Sequence, residues 1–207
     1  MRHLAPLAAV ALCVAGLAAQ GAIPPPVVRG SLVRLSSHVW VLPDPGVPLV
    51  PNIGVVVGTK AVLVVDTGMG QGNARTALAQ VAKVGGHKRM YLAPTHAHAE
   101  HVSGVGAFPA GTVLVASRAL ARDLEQSEAG FKGLAAFSPA IGEMLRGATL
   151  RVPDIIFDTE HVLDLGGVRV RLIAAGSGHS AGDTLIVVEG EGVVFAGALA
   201  LDHDERV

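Results

Sequence analysis

Runs of about five apolar residues, broken by glycine-rich punctuation, recur along most of this chain. Ile53–Val57 and Ala61–Val65 are apolar at almost every position and are joined by Gly58-Thr59-Lys60. That pattern predicts a hairpin whose strands are covered on both faces. Leu32–Leu42 alternates apolar and polar residues and predicts an earlier strand, closed by the turn Pro43-Asp44-Pro45-Gly46. After Val65 the period lengthens to that of a helix. Ala74, Ala77, Leu78, Val81 and Val84 share one face, with Asn73 as the expected N-cap and Gly85-Gly86 as the stop. A strand over Arg89–Ala93 follows, then a polar loop, a short helix near Val102–Ala107 and a strand over Thr112–Ala116. Ser117 is placed to cap a helix over Arg118–Glu128, whereas Phe131–Leu150 has helical content interrupted by Ser138-Pro139 and no readable period. Ile155–Phe157, His161–Leu165 and Val168–Ile173 read as strands, the last two joined by Gly166-Gly167. Thr184–Val188 and Gly192–Phe195 form a final pair. The alternation of strands and helices points to an α/β protein, and the length of 207 residues to one domain.

Composition modifies this picture in two respects. Half the residues are hydrophobic but only 3% are aromatic, so the core has to be built from Val, Leu, Ile and Ala. The net charge of −1 and the scattered basic residues argue against a nucleic-acid partner. The chain's first residues differ in kind from the rest. Arg2 and His3 precede the apolar run Leu4–Ala19, and small residues follow up to Ala22. Residues 1–21 therefore read as a secretory signal peptide, with an uncleaved anchor as the alternative. The run is short for a membrane span and contains Pro6. Residues 22–30 form an extended segment, in which Ile23–Val28 is expected to be poorly ordered. Cys13 lies in the apolar run, so cleavage leaves no cysteine to form a disulfide or a thiolate ligand. The expected location is periplasmic or secreted, with no stable membrane anchor after cleavage.

The densest chemistry is Thr95-His96-Ala97-His98-Ala99-Glu100-His101, directly after a strand-like run. Imidazole is the commonest protein ligand for zinc, and catalytic sites often take two ligands from one short segment. Residues i and i+2 leave a strand end on the same side, so His96 and His98 can converge. Glu100 and His101 would open the next helix and point back at the same pocket. The plainer reading is a solvated polar turn without metal.

This segment resembles the H-x-H-x-D-H signature of the metallo-β-lactamase superfamily, with Glu100 where the family usually has Asp. Asp66-Thr67-Gly68 resembles its strand-ending Asp-Thr-Gly, and Gly178-His179-Ser180-Ala181-Gly182-Asp183 its third-histidine loop, in the same order and spacing. The resemblance implies a four-layer αββα sandwich with the site at one edge, incomplete at the C-terminal end of the domain spanning residues 31–207. It implies that His96, His98 and His179 hold a zinc ion with a fourth position open for a hydroxide nucleophile. Glu100 and His101 match two ligands of a second metal, while Ala198 stands where a bridging carboxylate or thiolate is usual. The chain stops at Val207, before the place of a final histidine. One firm zinc and a second that is weak or absent are therefore expected. Asp202, His203 or Asp204 are candidate substitutes, against the plainer reading of a solvated charged tail. Glu100 and Asp66 are the carboxylates assigned to catalysis, Asp66 by accepting the outer N–H of a ligand imidazole. Asp183 is assigned a structural hairpin role. The implied activity is hydrolysis of an ester, thioester, lactone or lactam-type bond in a small-molecule substrate. A non-catalytic metal-binding relative, and an iron enzyme like the persulfide dioxygenases, are the alternatives. An uncovered sheet face would favour instability or a homodimer.

Overall fold

The hairpin of apolar runs lies at the centre of a seven-stranded sheet, in a computed structural model that describes residues 25–200. Strands β1 (Val33–Arg34), β2 (Val39–Leu42), β3 (Ile53–Val57) and β4 (Ala61–Val65) are antiparallel neighbours. β5 (Arg89–Ala93), β6 (Val113–Ser117) and β7 (Ile155–Phe157) then add parallel to β4. Parallel neighbours need crossovers. Helix α1 (Gly70–Gly85) supplies the first, α2 (Ala99–Val102) lies in the second, and α3 (Arg118–Phe137) with α4 (Pro139–Leu145) supply the third. A second, antiparallel sheet holds β8 (Glu160–Asp164), β9 (Arg169–Gly176), β10 (Asp183–Val188) and β11 (Val193–Phe195) in the order β11-β10-β9-β8.

β4 shows why its run carries no polar position. Ala61, Leu63 and Val65 join Leu172, Ile186 and Val188 in the core between the sheets, while Val62 and Val64 pack with Ala77 and Val81 of α1. Alternate side chains thus serve two cores, one on each face. The Gly166-Gly167 turn between β8 and β9 has φ of 83° and 81°, the pair of positive values a type I′ hairpin requires. Gly166 accepts from the amide of Thr59, and Leu165 from that of Lys60, which joins the two hairpin turns across the sheets. The architecture is the expected mixed α/β fold of two sheets with helices. Among the described residues no helix is long and apolar enough to cross a membrane.

Four elements differ from the sequence expectation. Leu32–Leu42 is two strands rather than one, since the Arg34 guanidinium turns back to the carbonyls of Ser36 and Ser37 and closes a hairpin. Helix α1 begins at Gly70 with Met69 as its cap, not at Asn73. Asn73 instead uses its buried amide to accept from Val28 N at 2.9 Å and donate to Pro26 O at 2.6 Å. Residues 26–28 before β1 are therefore pinned rather than loose, with Val28 buried. Ser117 caps α3 as expected, but the helix continues past Glu128 to Phe137. It ends because Pro139 forces Ser138 into extended geometry, and Pro139 then starts α4. The proposed signal peptide with Cys13, and Asp202, His203 and Asp204, lie outside the described residues.

Candidate metal centre

The C-terminal ends of β4 and β5 lie side by side, Val65 in register with Ala93. Each then releases its loop at the same sheet edge, where ligand sites of α/β sheets form. β4 delivers Asp66, and β5 delivers Thr95, His96 and His98. The second sheet reaches this edge through a hydrogen bond from Thr184 N to Thr95 O at 2.8 Å, which brings in the loop before β10 and with it His179.

His96, His98 and His179 each offer a ring nitrogen, and the three nitrogens lie within 4.8 Å of one another. His98 Nδ1 and His179 Nε2 face each other at 3.1 Å. His96 is buried, and its Nε2 has no hydrogen-bond partner. An orphaned buried nitrogen costs stability unless something occupies it. Three converging imidazoles with one such orphan fit a zinc ion, which favours nitrogen ligands and tolerates an open fourth position. Burial first, then the rings of His101, His98 and His179, push the His96 imidazole down to about 3. Burial likewise lowers His98, with Glu100 working against it. Both rings thus keep their lone pairs for a metal.

Asp66 organises the floor of this cluster. It is buried with φ of 64°, a left-handed conformation rare outside glycine, asparagine and aspartate. Its Oδ1 accepts from Thr95 N at 2.7 Å, and its Oδ2 lies 2.9 Å from His101 Nδ1. Burial opposes charge on His101, but the Asp66 carboxylate outweighs it and raises the imidazole above its ordinary value. The Thr95 hydroxyl sits among Asp66 (3.1 Å), His96 Nδ1 (3.2 Å) and His101 Nδ1 (3.3 Å). A Cβ added at Gly197 would lie 2.6 Å from that hydroxyl, so a glycine there lets the turn after β11 close over Thr95.

The expected site residues separate into two groups. His96, His98 and His179 come together as one donor set. The His101 ring lies tilted against that of His96, centroids 4.0 Å apart, but points Nδ1 at Asp66, and its Nε2 lies 4.0 Å from Glu100 Oε1. Glu100 lines a cavity beside His98. Ala198 lies in the 3-10 turn Gly197–Ala200 and offers no side-chain donor. Asp183 does more than shape a hairpin. Its carboxylate accepts from the amides of Gly178 (3.1 Å), His179 (2.6 Å) and Ser180 (3.0 Å) and from the Ser180 hydroxyl (2.5 Å). Burial pushes this carboxyl up, yet those donors from Ser180, His179 and Gly178 outweigh it and hold it below the usual carboxylate range. Thr95 was not singled out by the sequence. Its only signal was its place between a strand end and the first histidine.

The depressed His96 value has a consequence for the metal-free chain. Between the ordinary histidine value of about 6.5 and about 3, the unfolded chain takes up a proton that folded His96 refuses. The unfolded state binds more protons there, so His96 makes stability fall as pH falls through that window. His101 has the opposite sign: its contribution is full below the ordinary value and is lost as pH rises through its raised one. Urea midpoints of the metal-free chain and of His96→Leu, taken from pH 7 to pH 4, should draw apart as the pH drops, the parent falling faster. A constant offset would show that His96 does not titrate in this way.

The sequence model of the metallo-beta-lactamase superfamily matches residues 46–205. No curated protein matches the chain by sequence. Among solved structures, a metallo-beta-lactamase from Pontibacter korlensis is similar with a TM-score of 0.60 and 21% identity, over 84% of this chain and 73% of that one. A metallo-beta-lactamase from Cronobacter sakazakii with a HARLDQ motif gives 0.61 and 20%, over 86% and 66%. An enzyme described as the first B3 metallo-beta-lactamase with an active-site glutamic acid gives 0.59 and 18%, over 83% and 64%. The chain thus spans slightly less than two thirds of the length of these last two.

Proposed function

Since the chain belongs to the metallo-β-lactamase superfamily, we propose that it is a zinc-dependent hydrolase centred on His96, His98 and His179. The observation that carries this reading is the convergence of three imidazole nitrogens with His96 Nε2 buried and unpartnered. A zinc ion held there would lower the pKa of a water toward neutrality and polarise a substrate carbonyl. The rest is done by the chain. Thr95 and Asp66 fix the outer faces of His96 and His101, so the ring orientations are set before anything binds. Asp183 holds the backbone of the loop that presents His179. Glu100, at the cavity wall beside His98, is placed to take or return a proton as the bond breaks. The active-site glutamic acid of the B3 enzyme is a precedent for a glutamate in such a site.

The substrate is a small molecule with an ester, thioester, lactone or lactam-type bond, and export follows from the apolar run Leu4–Ala19. A second reading, a metal-binding relative without turnover, is favoured by Ala198, which leaves Glu100 and His101 without a third donor from that turn. Iron in place of zinc belongs to the same ligand chemistry. Elemental analysis of the purified chain, beside His98→Ala, separates these outcomes. About one zinc per chain, lost in the variant, together with ester or lactam turnover, is the expected result. Zinc without turnover favours the non-catalytic relative, iron with oxygen consumption favours the oxidative one, and no metal after supplementation overturns all three metal readings.

A further inference from the structure

A cavity of about 440 Å³ opens beside His98, between the histidine loop and the inner face of α3. Its volume suits a small molecule. Leu49, Ala97, Ala99, Phe131 and Leu134 give it an apolar wall, and Ser180 next to His179 closes one side. The Ser127 hydroxyl is turned back to the carbonyl of Asp123 at 2.8 Å, so it offers little to a ligand. The charged side chains that line the cavity are Glu100 and Asp123; among the described residues, no Lys or Arg lines it.

Leu49 supplies an independent observation. It has φ of 65°, one of two positive values among the described residues other than glycine. A leucine in that conformation is a steric outlier and persists where the surroundings hold it. In that conformation the Leu49 side chain packs, together with Leu134, against the buried cluster that contains Ala97 and Phe131. A strained residue at a cavity wall beside three converging histidines is where a specificity element belongs.

We infer that this cavity receives the neutral apolar acyl or alkyl part of the substrate, that Leu49 selects for it, and that Asp123 with Glu100 excludes anionic groups. The inference rests on the histidine cluster being the reaction centre and narrows the substrate to uncharged esters, thioesters or lactones with an aliphatic arm. An anionic arm would meet two carboxylates and no cation in a partly desolvated space, where like charges repel strongly.

The test is binding of two non-cleaved probes of equal length, N-butylhexanamide and the monobutylamide of adipic acid, to the metal-free and the zinc-loaded full chain. NMR titration reads both affinities and the positions perturbed. The neutral probe should bind the metal-free chain at least tenfold more tightly and shift Leu49, Phe131 and Leu134 signals. Leu49→Asn, which keeps a residue tolerant of the left-handed conformation, should weaken it about tenfold, as loss of a buried leucine contact does. Asp123→Asn should narrow the gap between the probes by tightening the carboxylate probe. Equal or tighter binding of the carboxylate probe to the metal-free chain, or unchanged affinity in Leu49→Asn, would overturn the inference. If both probes behave as expected while no ester is hydrolysed, the cavity assignment stands and the hydrolase reading falls.

Discussion

Zinc at a thousandfold excess over its dissociation constant should raise the melting temperature of the chain by about 10 °C, and His96→Leu should abolish the rise. The magnitude follows from linkage. A ligand that binds only the folded state at that excess contributes about 4 kcal/mol, and a domain of this size gains about 2–4 °C for each kcal/mol. His96 is the sharpest place to cut, because it is the one buried member of the donor set and its Nε2 has no other partner. The same orphan makes the metal-free variant informative. Replacing a buried, unsatisfied nitrogen by an apolar side chain of similar bulk removes a desolvation cost of about 1–3 kcal/mol. Metal-free His96→Leu should therefore melt higher than the metal-free parent, while zinc leaves it unmoved. Sites kept for function often show this trade of stability against activity. If His96→Leu is instead much less stable without metal, the ring is a packing element and the orphaned nitrogen has another explanation. Scanning calorimetry of both proteins, with and without zinc, decides between these outcomes.

How much of this was legible beforehand depended on whether the cause lay close along the chain. The β3–β4 hairpin was readable because both strands are covered on both faces, which leaves an unbroken apolar run. The histidines were readable because the spacing of His96, His98, Glu100 and His101 places all four within one loop and one turn of helix. The third histidine came from its glycine-rich surroundings, and its partner nitrogen on His98 lies 81 residues away in the chain. The end of α3 was misjudged for a physical reason. Gly130 and Gly133 each cost a helix about 1 kcal/mol relative to alanine, which argues for an earlier stop. Burial of Phe131 with Leu120, Leu124 and Ile141 carries the helix through them. Leu32–Leu42 alternates well enough for one strand, and only the Arg34 contacts to Ser36 and Ser37 show why it folds back. The roles of Thr95 and Leu49 were invisible, since one is a meeting point of groups from separate loops and the other a backbone conformation. The role of Asp183 was underrated because a carboxylate after a glycine-rich turn has an ordinary structural explanation.

Asp183→Asn should weaken zinc binding by about 10–100-fold, the usual cost of losing an outer partner of a metal ligand, although Asp183 touches no metal-binding nitrogen. Three amide N–H groups and one hydroxyl converge on its carboxylate from Gly178, His179 and Ser180. An asparagine has the same shape but turns one acceptor into an NH2 donor, which would then face N–H groups with nothing to accept them. Hydrogen bonds to a charged acceptor contribute about 1.5–3 kcal/mol each when made, so the loop has a strong reason to rearrange. Rearrangement is constrained on its other side. A Cβ added at Gly182 would lie 2.5 Å from the backbone of Leu120, which shows how closely the loop packs on the start of α3. The loop can therefore relax mainly outward, carrying His179 away from His98 and His96. Ser180→Ala removes only one of the four donors and should cost less than threefold in affinity. Zinc competition against a chromophoric chelator, with the His179 ring signal followed by NMR, separates a displaced ligand from a general loss of stability. Unchanged affinity in Asp183→Asn would mean that β10 and its neighbours hold His179 in place without this carboxylate.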